Sequence, residues 1–556
     1  MTSEYNVGDL VAEFLSACGI STAVGVVSIH NIPMLDGIGR RNAVRFVMAR
    51  GELGGGHMAD GYARVTGKLG AFFSSTGPGA ANAVGSIIEA RFASTPMLHL
   101  TGHTATKFAD RGVGTVHDPY EQLDMLASVS KTAYRIRSAD QTLGVLTRAA
   151  VDALTPPMGP VSVEVPIDVQ RTVIPRPAEL DCFALPLAAP LAPSEAAMDE
   201  LAERVARAKR PMLWLGAGAR HAGGPATRLL DMGFGMVTSL QGRGSVPEDH
   251  PLNLGGFNGN GQPRIEELYR KADLMLVVGS RLRGQETGEF TIKFPDELLQ
   301  IDADPLAAGR TYPINFFVCA DARLALEALV GRLQGRMQVD RAFTDEVRAL
   351  KEQVRAEYAD SLGPYASFAG QLRRVMPRDA LWVRDVTISN TTWGHRLFPV
   401  YGPETNVYPV GAGIGQGLAL GIGAALGANG RKVVTMTGDG GFFLNVGELW
   451  TAVQEKLDMV TIVMNDRGYG VIKHIQNAMY GGRNYFADLT GPDLGELAKL
   501  AGMPFWRVRQ ADGLGAAVEQ ALATPGPTLV EVDMKAIGEI PPYHPFNKRQ
   551  PAPARA

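Results

Sequence analysis

Two aspartates in the last third of the chain stand where acidic side chains could hold a cation. Asp439 follows a short apolar run and lies between two glycines, and Asp466 closes the next apolar run. If both runs are neighbouring parallel strands, their carboxyl ends bring the two carboxylates together at one sheet edge. Such carboxylates repel unless a cation lies between them, and Mg²⁺ prefers oxygen ligands, including phosphate oxygens. The spacing therefore indicates a magnesium and phosphate site, with two strand-end turns as the alternative.

The glycines after Asp439 favour a phosphate ligand. Gly440 and Gly441 stand immediately before a stretch with a helical pattern. Backbone N–H groups at such a position are not covered by side chains and can bind an anion. The pair is therefore a candidate cofactor-binding element beside the cation.

This arrangement resembles the thiamine-diphosphate-binding signature, in which Gly-Asp-Gly is followed some two dozen residues later by Asn-Asn or Asn-Asp. The resemblance implies that the side chains of Asp439 and Asp466 and the carbonyl of Gly468 are ligands of Mg²⁺. Many family members carry Asn where this chain has Asp466. An acid there keeps an oxygen ligand and adds a negative charge. The implied cofactors are thiamine diphosphate and Mg²⁺.

A second match lies in the segment GELGGGHMADGYARVTGK. In the same family a glutamate nine residues before the Gly-Tyr-Ala-Arg run contacts N1′ of the aminopyrimidine ring, and Glu52 stands nine residues before Gly61. A carboxyl group bonded to that nitrogen favours the tautomer whose 4′ nitrogen takes the proton from C2 of the thiazolium ring. The resemblance therefore implies that Glu52 is catalytic. Without it, Glu52 is an ordinary glutamate at a helix start.

Two glycine-rich segments, SSTGPGAANAV and VGAGIGQGLALGIGA, resemble family segments that contact the cofactor. The resemblance assigns Gly77 and Asn82 to the turn on the pyrimidine side. It makes Ile414 the bulky residue that bends the cofactor. It also makes Ala412 the residue whose carbonyl receives the 4′-amino group.

The strongest likeness is to acetohydroxyacid synthases, benzaldehyde lyase and related 2-oxo acid decarboxylases. Pyruvate decarboxylases of this type carry an adjacent His-His pair and two acidic residues, and Ile29 and Ile472 occupy those acidic positions here. His30 stands instead where benzaldehyde lyase has an active-site histidine, and His117 stands near the position of that enzyme's glutamine. The resemblance favours acyloin carboligation or C–C cleavage on 2-oxo acids or 2-hydroxy ketones. Decarboxylation of 2-oxo acids is the alternative, with both histidines as ordinary packed or surface residues.

The substrate pocket implied by the resemblance is mainly apolar. From the first part of the chain it takes Ile29, His30 and His117. From the part after the metal motif it takes Val471, Ile472, Gln476 and Tyr480. This composition favours a medium-sized neutral or 2-oxo donor over a dicarboxylate.

The elements that must position these residues alternate along the chain. Short apolar runs such as LGAFFSS, PMLWLGAG and MVTIVMND alternate with helical patterns, which predicts parallel sheets covered on both faces. A Pro- and Ala-rich stretch at 175–196 predicts a surface linker. We therefore predict an α/β fold with three doubly wound parallel-sheet domains. The predicted limits are 1–172 for the pyrimidine-binding domain, 195–335 for the middle domain, 360–535 for the diphosphate-binding domain and 536–556 for a poorly ordered tail.

Composition argues against several other classes of protein. The formal net charge is -3 and the basic residues are scattered singly, so no surface for nucleic acid is indicated. The three cysteines fit neither a disulfide framework nor a zinc site, and with a first segment that predicts an amphipathic helix they favour the cytoplasm. The apolar segment 410–427 contains seven glycines and Gln416, so we expect a packed helix and no membrane span.

The middle of the chain leaves a second cofactor open. Gly216 and Gly218 in GAGARHAGG match two positions of a dinucleotide fingerprint, but His221 occupies the third glycine position. A nicotinamide-dependent oxidoreductase is therefore the alternative from another class. The segment LQGRGSVPEDHPL resembles the flavin-holding domain of acetohydroxyacid synthase. Gln285 replaces an arginine expected there, so FAD is undecided.

The resemblance also implies a partner. In this family the pyrimidine domain of one subunit faces the diphosphate domain of another. Glu52 is therefore expected to act on a cofactor held by Asp439 of the partner subunit. A homodimer or homotetramer with active sites between subunits is implied, acting on small-molecule carbonyl substrates.

Overall fold

Three parallel sheets, each flanked by helices, form the protein in the computed structural model, which describes residues 4–118, 120–260 and 262–542. The predicted α/β class with three doubly wound domains is confirmed. The limits of the predicted domains stay predictions. Of the tail predicted at 536–556, the last fourteen positions, 543–556, lie outside the described residues.

The first unit contains a six-stranded sheet of strand order β2-β1-β3-β4-β6-β5. Its strands are β1 Thr22–Gly25, β2 Arg45–Met48, β3 Gly70–Ser74, β4 Met97–His103, β5 Thr132–Arg135 and β6 Pro160–Pro166. Its helices are α1 Val7–Ala17, α2 Ile32–Arg41, α3 Glu52–Thr66, α4 Pro78–Ala93, α5 Gln122–Val129, α6 Thr142–Leu154 and α7 Ile167–Arg171.

The second unit contains a five-stranded sheet of order β11-β10-β9-β7-β8. Its strands are β7 Pro211–Leu215, β8 Gly235–Thr238, β9 Leu274–Val278, β10 Glu297–Asp302 and β11 Phe316–Cys319. Its helices are α8 Glu195–Ala206, α9 Gly223–Asp231, α10 Pro263–Lys271, α11 Gly284–Thr287 and α12 Ala322–Leu333, and α13 Arg341–Asp360 leads to the third unit. The stretch 175–196 that precedes this unit is largely exposed, as expected for a linker.

The third unit contains a six-stranded sheet of order β13-β12-β14-β15-β17-β16, which repeats the connectivity of the first. Its strands are β12 Leu381–Arg384, β13 Asn406–Val407, β14 Val433–Gly438, β15 Met459–Asn465, β16 Phe505–Val508 and β17 Pro527–Asp533. Its helices are α14 Phe368–Val375, α15 Gly417–Leu426, α16 Asp439–Leu444, α17 Leu449–Gln454, α18 Gly470–Met479, α19 Leu494–Leu500, α20 Leu514–Ala523 and α21 Met534–Ile537.

Continuous apolar runs explain the parallel sheets. Strands β3, β7 and β9 are buried at every residue, because helices cover both faces of each sheet. In the third sheet the chain order changes direction between β12 and β14. Ligands of open parallel sheets bind at the carboxyl ends of strands beside such a point. The residues that follow β12, β14 and β15 are therefore candidates for a ligand-binding site.

Close packing of α3 against α15 joins the first unit to the third. A Cβ atom on Gly61 would lie 2.2 Å from the carbonyl oxygen of Leu420, and one on Gly423 would lie 1.9 Å from that of Met58. Glycine is therefore required where the two helix backbones meet. This contact confirms the packed helix expected within 410–427. In the described ranges, no helix is long and apolar enough to cross a membrane.

Replacing Gly423 with alanine tests this helix contact. Because the new methyl group would overlap backbone, Gly423→Ala should lower the free energy of unfolding by about 1–3 kcal/mol. Gly331→Ala is the matched control, since Gly331 lies inside α12 with open space at its Cβ position. That control should raise stability by about 0.5–1 kcal/mol. Chemical denaturation of both variants measures the effect, and equal stability of Gly423→Ala and wild type would contradict the packing account.

Candidate active site

The two aspartates of the metal motif lie on adjacent strands. Strands β14 and β15 pair in parallel with Gly438 opposite Met464, so Asp439 and Asp466 extend from the same sheet edge. The Oδ2 atom of Asp439 accepts the N–H of Gly468 at 3.0 Å. Its Oδ1 atom is buried and has no hydrogen-bond partner among the described residues. A buried polar atom normally has a partner, so this oxygen suits a cation.

The titration of the pair fits a cation site. Burial raises the pKa of Asp466 to about 7, and the charge of Asp439 adds to the effect. Burial likewise raises the pKa of Asp439. Both shifts reflect charge that lacks compensation. A divalent cation between the carboxylates would supply that compensation.

Gly440 and Gly441 follow Asp439, and close neighbours leave no space for a side chain at either position. A Cβ atom on Gly440 would lie 2.7 Å from the ring of Tyr469, and one on Gly441 would lie 2.8 Å from Oδ2 of Asp385. Helix α16 begins at Asp439, so both glycines lie in its first turn. N–H groups in a first helical turn have no partner within the helix. The residues present therefore fit a diphosphate group next to the cation.

A short exposed loop, residues 411–414, precedes α15. Ala412 has a φ of 62°, a left-handed conformation that is unusual for a residue with a side chain. Ile414 leaves 42% of its surface exposed. An exposed apolar side chain on a constrained backbone suits the role predicted for it, which is to support a bent cofactor.

Residues of this loop and of the metal motif line a cavity of about 730 Å³. Among the predicted residues, its wall includes Ala412, Ile414, Gly440, Gly441, Asp466, Gly468, Val471 and Ile472. Within the described part of the chain, the wall comes entirely from the second and third units. The cavity therefore brings together the residues that the sequence analysis assigned to the diphosphate side of the site.

Of the pocket residues predicted in the third unit, Gln476 and Tyr480 lie outside this wall as described, and Ile29, His30 and His117 of the first unit do too. The side chain of Gln476 donates to the carbonyl of Tyr485 at 2.9 Å. Tyr480 follows the end of α18 and is 53% exposed. Their role as pocket residues stays a prediction, because neither contacts the cavity in this chain.

Glu52 begins α3 and is half-buried. The amide of Asn82 approaches its Oε2 atom at 3.4 Å. Glu448 of the third unit holds the turn before it, since its carboxylate accepts the N–H groups of Arg50 and Gly51 at 3.1 Å. The carboxyl group of Glu52 is thus presented from a backbone that the third unit holds.

The two predicted histidines lie together. The ring centroids of His30 and His117 are 5.4 Å apart. Burial and the nearby His117 lower the pKa of His30, and its buried Nδ1 atom has no partner among the described residues. A Cβ atom on Gly77 would meet the His117 carbonyl at 2.6 Å, so the predicted turn packs against this pair. Ile29 beside His30 is 58% exposed.

Sequence reasoning missed the buried carboxylates that hold the backbone of the site, Glu89, Asp385 and Glu448. Asp385 follows β12 as Asp439 follows β14, so the same strand-end signal could have found it. Glu89 and Glu448 lie in helical stretches with ordinary composition. Their contacts join distant parts of the chain, and no local pattern indicates them.

The glycines of the middle unit have a packing explanation. A Cβ atom on Gly216 would lie 2.2 Å from the carbonyl oxygen of Gly279, and one on Gly218 would lie 2.9 Å from its Cα atom. The two loops therefore need glycine for close approach, whether or not a nucleotide binds. The site favours a cofactor at the third sheet over a nicotinamide on this loop. FAD stays undecided.

The fold and the site define a cofactor-dependent α/β enzyme with three units of parallel sheet. Comparison with known families finds the N-terminal, central and C-terminal domains of the thiamine pyrophosphate enzymes at residues 5–127, 198–329 and 387–532.

Curated relatives agree with these matches. The chain is 31% identical to the probable 2-ketoarginine decarboxylase AruI of Pseudomonas aeruginosa over 84% of this chain and 83% of that protein. It is 26% identical to the acetolactate synthase isozyme 1 large subunit of Escherichia coli, over 97% and 95% of the two chains. It is also 26% identical to the probable chloroplastic acetolactate synthase 2 of Oryza sativa, over 97% and 84%.

The chain belongs to the family of thiamine pyrophosphate enzymes. Its function class is that of a thiamine-diphosphate-dependent carboligase or decarboxylase.

The raised pKa of Asp466 predicts how pH affects cation binding. If Mg²⁺ binds between the two carboxylates, a proton on the pair competes with it, so Mg²⁺ affinity in the presence of thiamine diphosphate should weaken as pH falls below about 7. The loss approaches about tenfold per pH unit for one competing proton and levels off at higher pH. Calorimetric titration at a series of pH values measures it. Asp466→Asn keeps an oxygen ligand and should flatten the dependence, and an unchanged slope in that variant would contradict the assignment.

Proposed function

We propose that the chain binds thiamine diphosphate through Mg²⁺ held by Asp439, Asp466 and the Gly468 carbonyl. The proposed reaction is formation or cleavage of a C–C bond in 2-oxo acids or 2-hydroxy ketones. The observation that carries the cation site is the buried, unpartnered Oδ1 atom of Asp439 beside a second carboxylate. Family membership supports the cofactor.

The cofactor supplies a nucleophilic carbon, C2 of the thiazolium ring, that adds to a carbonyl carbon. Each protein group has a separate task. Ala412 offers its carbonyl to the 4′-amino group, and Ile414 supports the bend between the two rings. Glu52 holds and exchanges a proton at N1′ of the pyrimidine ring. The half-buried carboxyl of Glu52 suits this task because it is partly shielded from water yet reachable.

We propose that two copies of the chain complete each active site. The described cavity wall carries the diphosphate side alone, whereas Glu52, His30 and His117 belong to the first unit. Exposed apolar side chains accompany both halves, namely Val27, Ile29 and Leu53 on one and Ile414, Leu444 and Ile472 on the other. A homodimer, or a homotetramer built from it, would bury these side chains. The proposed location is the cytoplasm.

The reaction branch depends on how protons are delivered. His30 is buried, and burial and the nearby His117 lower its pKa, which favours the uncharged ring. A neutral imidazole next to a second imidazole can withdraw a hydroxyl proton in cleavage and return it in carboligation. The apolar side chains Ile29 and Ile472 stand where acids would promote release of an aldehyde. Carboligation or cleavage is therefore proposed over simple decarboxylation. Decarboxylation is the second candidate, since one relative bears that name.

The variant Glu52→Gln tests the catalytic glutamate. It should fold and bind thiamine diphosphate, but exchange of deuterium at the cofactor's C2 should slow by about 10²-fold or more, because an amide cannot exchange the proton at N1′. Nuclear magnetic resonance of the quenched cofactor measures this rate. Glu195→Gln, another first-turn helix glutamate, is the control and should match wild type. Wild-type exchange in Glu52→Gln would disprove the assignment.

The variant His30→Ala tests the reaction branch. Acyloin formation and cleavage should slow by about 10²-fold or more through loss of an acid–base group, while cofactor affinity stays unchanged. His117→Ala should have a smaller effect. Product mass from a panel of 2-oxo acids, acyloins and diketones measures the branch, with exposed His221→Ala as the control. Wild-type enzyme that releases only aldehydes, or full ligation by His30→Ala, would contradict carboligation.

A further inference from the structure

The exposed loop 411–414 lies between two buried carboxylates. At its start, Glu89 of α4 accepts the N–H of Val410 at 2.5 Å and that of Gly411 at 2.9 Å. At its end, Asp385 accepts the N–H of Gly415 at 3.0 Å and that of Gly417 at 3.1 Å. A carboxylate that accepts two backbone N–H groups fixes the direction of both peptide planes. The loop is thus anchored on both sides.

The anchor at the start comes from another unit of the protein. Glu89 is 1% exposed and pairs with Arg64 of α3 at 2.9 Å. The guanidinium of Arg64 also donates to the carbonyl of Tyr408 at 2.6 Å, just before the loop. Arg283 of the second unit donates to the carbonyl of Val410 at 3.2 Å. Groups from the first and second units therefore hold the entry to a loop of the third.

The anchor at the end is equally buried. Asp385 has no exposed surface and also accepts the hydroxyl of Thr437 at 3.1 Å. A Cβ atom on Gly417 would lie 2.6 Å from that of Asp385, so glycine is needed for the approach. The amide of Asn445 donates to the carbonyl of Gly415 at 2.6 Å. At this end of the loop, the N–H group and the carbonyl group of Gly415 therefore both have hydrogen-bond partners.

We propose that Glu89 and Asp385 are positioning residues that hold the loop 411–414, and with it Ala412 and Ile414, in the conformation that receives the cofactor. The role toward the cofactor rests on the proposed function. The left-handed backbone of Ala412 needs support from its surroundings, and the loop has no regular structure of its own. Glu89 lies 321 residues from Val410 in sequence, so the first unit controls a cofactor contact of the third.

Amide hydrogen exchange of the cofactor-free protein tests the anchors. Glu89→Gln and Asp385→Asn each replace one carboxylate oxygen with an NH₂ group. One backbone N–H of the loop then faces a donor and has no acceptor. Exchange of the peptide 408–417 should therefore accelerate about tenfold in each variant, with other peptides little changed. Arg283→Met is a third variant that keeps the buried pair intact. This variant is expected to fold because the Arg283 side chain that it replaces is 23% exposed. Hydrogen exchange of the same peptide should accelerate less than in the two carboxamide variants.

A second arm measures the cofactor directly. In both carboxamide variants, deuterium exchange at C2 of bound thiamine diphosphate should slow by about tenfold or more, because a small misplacement of the ring suffices. The matched control is Glu248→Gln. Glu248 is a buried carboxylate that pairs with Arg243 and accepts the N–H of Val400 at 2.9 Å, outside the loop. Glu248→Gln should lose as much thermal stability as the two test variants and keep the wild-type rate of deuterium exchange at C2.

The outcomes separate this proposal from the proposed function. Unchanged exchange of the peptide 408–417 in both variants would overturn the anchors. Faster peptide exchange with a wild-type C2 rate would overturn the positioning role. A control that slows C2 exchange as much as the test variants would show a general effect of instability and would also overturn it. Failure of the wild-type chain to bind thiamine diphosphate would reject the proposed function, while the cofactor-free measurement still decides the anchors.

Discussion

Asp439 and Asp466 lie at the ends of adjacent strands, and their negative charges repel each other. The residues around them in the third unit have to accommodate this repulsion. Asp439 is almost fully buried, and one of its oxygens has no partner among the described residues. Burial of unpaired charge is costly, as the raised pKa of Asp466 reflects. Gly440 and Gly441 beside the pair have no space for a side chain, and both line the cavity. A bound cation and diphosphate group would convert this unfavourable arrangement into a binding site.

The contact of α3 with α15 extends this constraint to the first unit. Helix α3 begins at Glu52 and carries Arg64 in its last turn, where Arg64 and Glu89 hold the backbone before the loop 411–414. One helix therefore presents Glu52, the proposed catalytic group, at one end and supports the loop 411–414 at the other. If two copies share each site, α3 connects the two active sites of a dimer. The glycines at the helix crossing allow the backbones of α3 and α15 to approach closely.

Much of this arrangement is visible in the sequence because it depends on local rules. Apolar runs ending in Asp439 and Asp466 predicted neighbouring strand ends, and the glycine-rich run predicted a packed helix, and the structure confirms both. The contact of Glu89 with the loop could not be predicted, because the N–H groups of Val410 and Gly411 lie more than three hundred residues away and the contact depends on how the units pack. The side chain of Gln476 donates to the carbonyl of Tyr485. The metal motif, which suggested Gln476 as a pocket residue, does not indicate this contact. The roles of His30 and His117 stay predictions, although their rings lie together.

The central claim is that Glu52 of one chain acts on a cofactor held by Asp439 of another. Mixing subunits tests it most directly. Neither Glu52→Gln nor Asp439→Ala should be active alone, whereas a refolded equimolar mixture should contain hybrid dimers with one intact site. If subunits assemble at random, about a quarter of wild-type activity should return. A mixture that forms hybrids yet stays inactive would contradict the claim, because it would mean that both residues serve the same site from within one chain.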